Sequence, residues 1–391
     1  MANVTQLYSI LNAVAAQALG KSAIAVVDTR SMVALGDAVM ASDTDVDLFT
    51  GALVDRIGRT IVSVREWNDP ENDPLVKKPF DFGIALQKIY VDLEDAAPND
   101  AWEIGQAGYV PSWCPVIKPS VESRIFNKVS TWEFDFTIPD TLLRTAFINE
   151  TEMSAFITAI YTAMENSLAL SVRDANNLTR ATAIAYTLNH GGINAINVLS
   201  EYNAAFPSAT LTAAAALYSP DFLRFFTRRF LDTMGYMKNL SRAWNNEEFA
   251  RHTPSEYMVA TVLRAVDSAQ RVYLQSDTFH NELVSLGSRY NTVDYWQGAG
   301  TSGYDVDDTS AIKISIVDPS DSTKKIDVEQ SGILAVLHDV EAMGTTINNR
   351  RMTTERNNKA EYTDTFSKAN IGYFYDGSEN IAVFYIADET P

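Results

Sequence analysis

The sequence predicts an α+β protein, and three observations lead to this expectation. A helical period of apolar residues runs from Asn149 to about Leu188. Strand-like stretches at 80–93 and 121–138 flank a segment rich in Asp, Pro, Gly and Trp. Extended, aromatic-rich runs separated by polar turns fill residues 345–386. The helix is longer than usual for a globular protein, so we expect it to act as a spine around which other layers pack.

Length, charge and cysteine content argue against several classes of protein. The chain has 391 residues, enough for two or three domains. Its formal net charge of -19 argues against nucleic-acid binding by a broad basic face. Cys114 is the only cysteine, which excludes a disulfide framework and indicates a reducing compartment. We expect synthesis in the cytoplasm and no membrane partner, since no signal pattern and no apolar run of roughly 20 residues is found.

Residues 1–55 predict an extended arm with short helices, because short apolar stretches alternate with isolated acids. Residues 48–61 predict a helix closed by Gly58, since glycine readily supplies a left-handed C-cap. A strand is expected over 60–67. The acidic, turn-rich stretch 66–74 then breaks the regular structure.

Residues 75–138 predict a long β-hairpin that needs a surface to lie on. Its second strand alternates between apolar and polar residues. The expected apolar face consists of Ile84, Leu86 and Ile89 on the first strand, opposite Phe134, Phe136 and Ile138 on the second. A hairpin of this length has too little core to be stable alone. Its support would be the same chain in a monomeric enzyme and a neighbouring subunit in a shell.

The later elements are predicted from local signals. Asn149 and Glu152 predict the cap of the long helix. Ser219 followed by Pro220 predicts a second helix start, and Ser268 predicts the cap of a third. Strands are expected at 256–265, 312–317, 325–328 and 333–337, the second and third as a hairpin and the last fully buried.

No residue pattern predicts a catalytic residue, a metal site or a cofactor. None of the four histidines has a neighbour at metal-ligand spacing. Cys114 has no nearby histidine or basic residue that would lower its pKa. The acidic stretches 305–308 and 318–321 lack an EF-hand pattern, which favours solvated turns over calcium sites.

Two basic clusters stand out against the acidic background. They are Arg224, Arg228 and Arg229 on one predicted helix, and Arg350, Arg351 and Arg356 near the C-terminus. One interpretation is a solvated face. The other is pairing with the acidic loop tip of another subunit, which carries Asp92, Glu94, Asp95 and Asp100. The residue pattern leaves both interpretations open.

The order of arm, long hairpin, spine helix, mixed domain and return strands resembles the Hong Kong 97-type fold of major capsid proteins from tailed phages. Locally, the chain is similar to podophage capsid proteins of the phi-twenty-nine type. The segments that carry this resemblance are 53–58, 84–92, 143–147, 155–160 and the extended runs of 345–386. Residues 193–250 and 312–328 match less well.

The resemblance implies four parts. These are an N-terminal arm (1–55), an extended loop (75–138), a peripheral domain with the spine helix (56–74, 139–190 and 341–391) and an axial domain (191–340). It also implies a structural protein, not an enzyme. Hexamers and pentamers of this chain would form an icosahedral shell in the virion around phage double-stranded DNA, without sequence-specific binding. The net charge of -19 is explained either by solubility alone or by a shell lining that repels the packaged DNA. Scaffolding, portal and decoration proteins are further candidate partners.

The candidate contacts between subunits come from the hairpin and the basic clusters. They are Ile84, Leu86, Ile89, Asp92, Glu94, Phe134, Phe136, Ile138, Arg224, Arg228, Arg229, Arg350, Arg351 and Arg356. Two alternatives remain open on sequence. A cellular nanocompartment of the encapsulin type would share the fold. A soluble enzyme would need a convergent site, and no such motif is present.

Overall fold

The computed structural model describes most of the chain in segments. These are residues 4–18, 20, 25–42, 44–53, 73–75, 86–92, 118, 120–126, 129–148, 150–247, 254, 256–274, 287–297, 308–318 and 321–388. The helix end expected at Gly58, the strand over 60–67 and the loop tip with Cys114 all lie outside the described residues.

Three N-terminal helices form a packed cluster. They are α1 (Val4–Ala18), α2 (Thr29–Val39) and α3 (44–53). Asp28 caps α2 through the backbone N–H of Ser31, at 2.7 Å. Buried residues of these helices, among them Met32 and Phe49, share one core with Leu143 and Phe147. The predicted short helices are confirmed, but the described part of this region is packed rather than extended, because its apolar residues face a common core.

The first β-hairpin pairs two short strands. β1 (Leu86–Val91) and β2 (Val121–Phe126) run antiparallel, with Val91 opposite Val121. The predicted pairing of these two regions is confirmed. The hairpin ends sooner than expected, because the next strand, β3 (Val129–Pro139), leaves it and joins another sheet.

The three-stranded sheet contains β3 and the return strands near the C-terminus. Its order is β10 (Met343–Asn357), β11 (Tyr362–Tyr375) and β3, all antiparallel. The expectation that Phe134, Phe136 and Ile138 lie opposite Ile84, Leu86 and Ile89 is wrong. Strand β11 pairs instead with β3 along its full 11 residues.

The predicted spine helix is confirmed as α5 (Glu150–His190), which spans 41 residues. At 1.5 Å per residue it is about 60 Å long. It follows the short helix α4 (Asp140–Ala146). Leu168 and Val172 pack against the three-stranded sheet, while Ile184 lies in the core of the second sheet. The helix therefore packs against both sheets of the subunit.

The second sheet has five strands in the order β4, β12, β9, β5, β6. They are β4 (Ala195–Asn197), β5 (Met258–Leu263), β6 (Arg289–Val293), β9 (Ile333–Asp339) and β12 (Ile381–Tyr385). The predicted buried strand at 333–337 is confirmed, since every residue of β9 is buried. The last strand, β12, lies between β4 and β9 in this sheet. It does not pair with the return strands β10 and β11, although the resemblance assigns all of residues 341–391 to one domain.

Helices and a second hairpin surround this sheet. They are the 3₁₀ turn Gly192–Asn194, α6 (Val198–Ala205), α7 (Ala213–Ala216), α8 (Pro220–Met237), α9 (Arg264–Leu274), β7 (Ile312–Asp318) and β8 (Asp321–Gln330). Ser219 caps α8 as predicted, and the β7–β8 hairpin is confirmed. The cap predicted at Ser268 is wrong, because α9 begins at Arg264 directly after β5. None of the described helices is long and apolar enough to cross a lipid bilayer.

Candidate inter-subunit surface

The β1–β2 hairpin exposes an apolar surface, here called the outer face. Because side chains alternate along a strand, residues 87, 89 and 91 share this face with residues 121, 123 and 125. Four of the six are β-branched apolar residues, and each is more than half exposed: Ile89 63%, Val91 53%, Val121 55% and Ile125 62%. A contiguous apolar patch of this kind marks a candidate interaction surface.

The opposite side of the hairpin, the inner face, is polar and covered. It carries Lys88 and Tyr90 on β1, and Glu122 and Arg124 on β2. Lys88, Tyr90 and Arg124 reach residues 376–380, which connect β11 to β12 and are called the acidic turn below.

The acidic turn is buried, which is unusual for a polar connection. Asp376 and Ser378 are fully buried, and Glu379 is 6% exposed. Polar connections normally run over the surface, where water satisfies the backbone. In this turn the protein supplies the partners: Asp376 N–H donates to the carbonyl of Ala342 at 2.8 Å, and Gly377 O accepts from Asn246 N–H at 2.8 Å.

Lys88 is the main cation above the acidic turn, and its side chain is only 9% exposed. Its Nζ lies 3.2 Å from Oδ2 of Asp376 and 3.3 Å from Oε1 of Glu379. The same Nζ donates to the carbonyl of Glu341 at 2.7 Å. Buried charges are tolerated when they are paired and hydrogen-bonded in this way.

Tyr90 and Arg124 add two further contacts to the acidic turn. The Tyr90 hydroxyl donates to the Asp376 carboxylate and lies 3.3 Å from Oε1 of Glu379. Burial, followed by these acidic partners, raises the pKa of Tyr90 far above its usual range. Arg124 pairs with Glu122 at 2.8 Å and with Glu247, and its Nη1 lies 3.7 Å from Asp376.

The acidic groups beneath the inner face explain why a cation is needed at the acidic turn. Burial raises the pKa of Glu379, and the nearby charge of Lys88 opposes this rise. The charges of Asp376 and of the fully buried Asp339 also raise the pKa of Glu379. The cationic inner face of the hairpin therefore complements a surface that is acidic and shielded from water.

The predicted contact residues of the hairpin divide into three groups. Ile89 is exposed on the outer face, as a contact residue should be. Asp92 pairs with Arg242 of its own chain, and its contact with a basic cluster of another subunit stays a prediction. Ile84, Glu94 and the side chain of Leu86 lie outside the described residues.

Phe134, Phe136 and Ile138 belong to the interior of the subunit. Ile138 is 3% exposed and lies in the core formed with the N-terminal helices, against which Phe136 also packs. Phe134 packs against the cluster that contains Leu168 and Val172 of α5. The prediction that this face lacks a core within its own subunit is therefore wrong, because the N-terminal helices, α5 and β11 supply one.

The first basic cluster is paired within the chain. Arg224 bonds Asp221 at 3.0 Å, Arg228 lies 3.6 Å from Asp232, and Arg229 bonds Glu201 at 2.7 Å. The first two pairs are well exposed, so each contributes little to stability and can exchange partners. Their role in contacts between subunits stays a prediction.

The second basic cluster separates into surface and interior positions. Arg351 is exposed on β10, and the side chain of Arg350 lies outside the described residues. Arg356 is different, because its side chain is 5% exposed and forms a two-pronged pair with Asp140 at 2.9 and 2.7 Å. It fastens β10 to the start of α4, so its position contradicts an exposed contact.

Sequence reasoning missed the residues of the inner face and the acidic turn. A signal existed on β1, where alternation places Lys88 and Tyr90 on the same side. The acidic turn gave no such signal, since Asp-Gly-Ser-Glu-Asn has the composition of an exposed turn. Among the described residues, no group of three His, Cys, Asp or Glu side chains is placed to hold a metal ion.

Comparison with known proteins identifies the family. The family model of the Phi29-like phage major capsid protein matches residues 11–385. The chain belongs to this family. Among curated proteins, the major capsid protein of Bacillus phage B103 is 26% identical over 166 residues, which cover 42% of this chain and 36% of that protein. The major capsid protein of Bacillus phage PZA is 25% identical over 167 residues, with the same coverage. These alignments thus span little more than a third of the relatives' length.

Solved structures agree with the Phi29-like family at the level of the fold. A chain of the Staphylococcus phage Andhra capsid has a TM-score of 0.53 at 10% identity, covering 81% of this chain and 84% of its own. A chain from the structure of the head fiber and inner core protein of native bacteriophage P68 gives 0.51 at 9% identity, with the same coverage. The predicted Hong Kong 97-type capsid fold is confirmed, and the nanocompartment alternative is not favoured by these matches.

Proposed function

We propose that this chain is the major capsid protein of a tailed phage, and that its copies assemble into an icosahedral shell around double-stranded DNA. The observation that carries this proposal is the match of the Phi29-like capsid family over residues 11–385. In this proposal the protein acts by binding copies of itself and has no enzymatic activity. Its place is the virion, after synthesis in the host cytoplasm.

The outer face of the hairpin is the surface that we assign to self-association. Its four β-branched residues are exposed in the isolated subunit, and burying each one against a neighbour would stabilise the contact by about 1–2 kcal/mol. Contacts that close into hexamers and pentamers must be head-to-tail, so the outer face would meet a different surface of the next copy. The hairpin then serves as the extended loop, α5 as the spine of the peripheral domain, and the five-stranded sheet as the centre of the axial domain.

Charge supports the proposed relation to DNA. A net charge of -19 favours a shell that encloses DNA without adhering to it, since broad binding to phosphate needs clustered cations. The exposed Arg224 and Arg228 remain candidates for contacts with acidic residues of a neighbouring copy or of a scaffolding, portal or decoration protein.

Electron microscopy of the purified chain, expressed with and without a scaffolding protein, tests the proposed function. Closed shells are expected, and particles no larger than dimers under every condition would contradict it.

We expect Ile89→Asp to block assembly while leaving the subunit folded. A carboxylate on the outer face would have to lose its water in the contact, so the subunit concentration needed for shells should rise at least about tenfold. The unfolding midpoint of the free subunit should hardly change, because Ile89 is 63% exposed. Ile89→Val is the matched control and should assemble normally. Light scattering against concentration measures both, and normal assembly of Ile89→Asp would remove the outer face from the interface.

A further inference from the structure

We infer that the inner face of the hairpin and the acidic turn form an ionic latch, which fixes the hairpin on the free subunit and orients the outer face before a second copy arrives. Lys88 is the central positioning residue of this latch. The inference rests on the proposed function, because it states how the surface that we assign to self-association is set.

The hairpin needs such a fastening because its backbone pairs with no other part of the sheet structure among the described residues. β1 and β2 form a two-stranded sheet, and neither strand is paired with another strand among the described residues. A two-stranded hairpin is at best marginally stable in water. Side chains of the inner face must therefore hold it against the body.

The contacts of the latch fix direction as well as position. Lys88 reaches Asp376 and Glu379, and Tyr90, two residues further along the same face, reaches the same two carboxylates. Charge-assisted hydrogen bonds are short and directional, whereas apolar contacts permit sliding. Two attachment points on one strand prevent the hairpin from rotating about either of them.

An aromatic contact supports the same orientation. Lys88 Nζ lies 5.6 Å from the ring centre of Phe374, and the ring of Phe126 on β2 lies 5.4 Å from the same ring. Phe374 is on β11, two residues before Asp376 of the acidic turn. Both strands of the hairpin thus meet a single short segment of the body.

The closed latch is the favoured state of the free subunit. If the hairpin moved away, Asp376 and Glu379 would lose Lys88, and an uncompensated charge at a buried site is strongly unfavourable. The acidic turn itself is held by backbone hydrogen bonds to residues 342 and 246, so it stays in place as a fixed receptor. The orientation of the outer face is therefore a property of the single subunit.

The test compares Lys88→Met with Lys88→Arg in the full-length chain. Methionine keeps most of the length of lysine and removes its charge, whereas arginine retains a cation that reaches the carboxylates. We expect Lys88→Met to speed hydrogen exchange of the amides in 86–91 and 121–126 at least about tenfold, with exchange in β9 unchanged. The subunit concentration required for shells should rise by a similar factor, and Lys88→Arg should recover most of both effects.

Lys368→Met is the matched control. Lys368 also forms an ion pair, with Glu133 at 2.6 Å, but it lies on the three-stranded sheet, away from the hairpin. It should leave exchange in the hairpin and the assembly threshold unchanged. If Lys88→Met lowers expression of folded protein, Tyr90→Phe tests the same contact by removing only the hydroxyl, with the same direction of change expected.

The possible results separate the latch from its role in assembly and from the proposed function. Unchanged hairpin exchange in Lys88→Met would overturn the latch. Faster exchange with a normal assembly threshold would overturn its role in orienting the outer face. If the unmodified chain forms no shells under any condition, the proposed function fails, while the exchange measurement still confirms or overturns the latch itself.

Discussion

Replacing Arg356 with alanine should lower the free energy of unfolding of the subunit by about 3–5 kcal/mol. The guanidinium of Arg356 holds both carboxylate oxygens of Asp140, and the two side chains are 5% and 12% exposed. Removing the cation would leave the carboxylate of Asp140 charged, largely buried and without its principal partner. Urea denaturation of the unassembled subunit, followed by circular dichroism, measures the loss.

Two further variants make this expectation specific. Arg351→Ala is the matched control, because Arg351 lies on the same strand and is exposed, so a change within about 0.5 kcal/mol is expected. The double variant Arg356→Met with Asp140→Leu should recover much of the lost stability, since replacing both partners leaves no buried charge. If Arg356→Ala leaves the free energy of unfolding unchanged but impairs assembly, Arg356 is a contact between subunits after all.

Replacing Phe384 with alanine should cost about 3–5 kcal/mol of unfolding free energy, through loss of apolar burial and the cavity left behind. Phe384 is fully buried on β12, which lies between β4 and β9 in the five-stranded sheet. Its ring centre lies 4.6 Å from that of Phe230 and 6.1 Å from that of Phe226, both on α8. The final strand thus closes the core between sheet and helix.

Phe206→Ala is the control for Phe384→Ala. Phe206 also contacts aromatic rings, at 5.0 Å from Tyr202 and 6.2 Å from Phe225, but it is 46% exposed. We expect it to cost no more than about 1 kcal/mol, because most of its surface remains in water and little cavity forms. Equal losses in the two variants would show that β12 does not close the core as described.

Elements with strong local signals were predictable from the sequence. α5 has a continuous apolar period, α8 has Ser219 and Pro220 at its start, and the run from Ile333 to Leu337 is apolar throughout. The pairing of β1 with β2 was also predictable, since two strand-like stretches on either side of a turn-rich segment favour a hairpin. These signals lie within a few residues of the elements that they specify.

The partner of β3 could not be read from its own residues. Alternation showed that Phe134, Phe136 and Ile138 share a face, but this holds equally for a strand beside β1 or beside β11. Sheet partners more than 200 residues apart leave no local trace. The same holds for the latch, because Lys88 and Asp376 lie far apart in the sequence and come together only in the folded subunit.

The acidic turn at 376–380 and the turn at 357–361 have similar polar compositions but will differ in their tolerance of foreign peptides. Every residue from 357 to 361 is exposed in the subunit, at the tip where β10 meets β11. Extra residues inserted there can extend into solvent without disturbing either strand. The acidic turn has no free side, since the hairpin covers it and buried backbone bonds hold it. A library that displays peptides on this protein would therefore yield functional particles from insertions at 357–361 and none from insertions in the acidic turn.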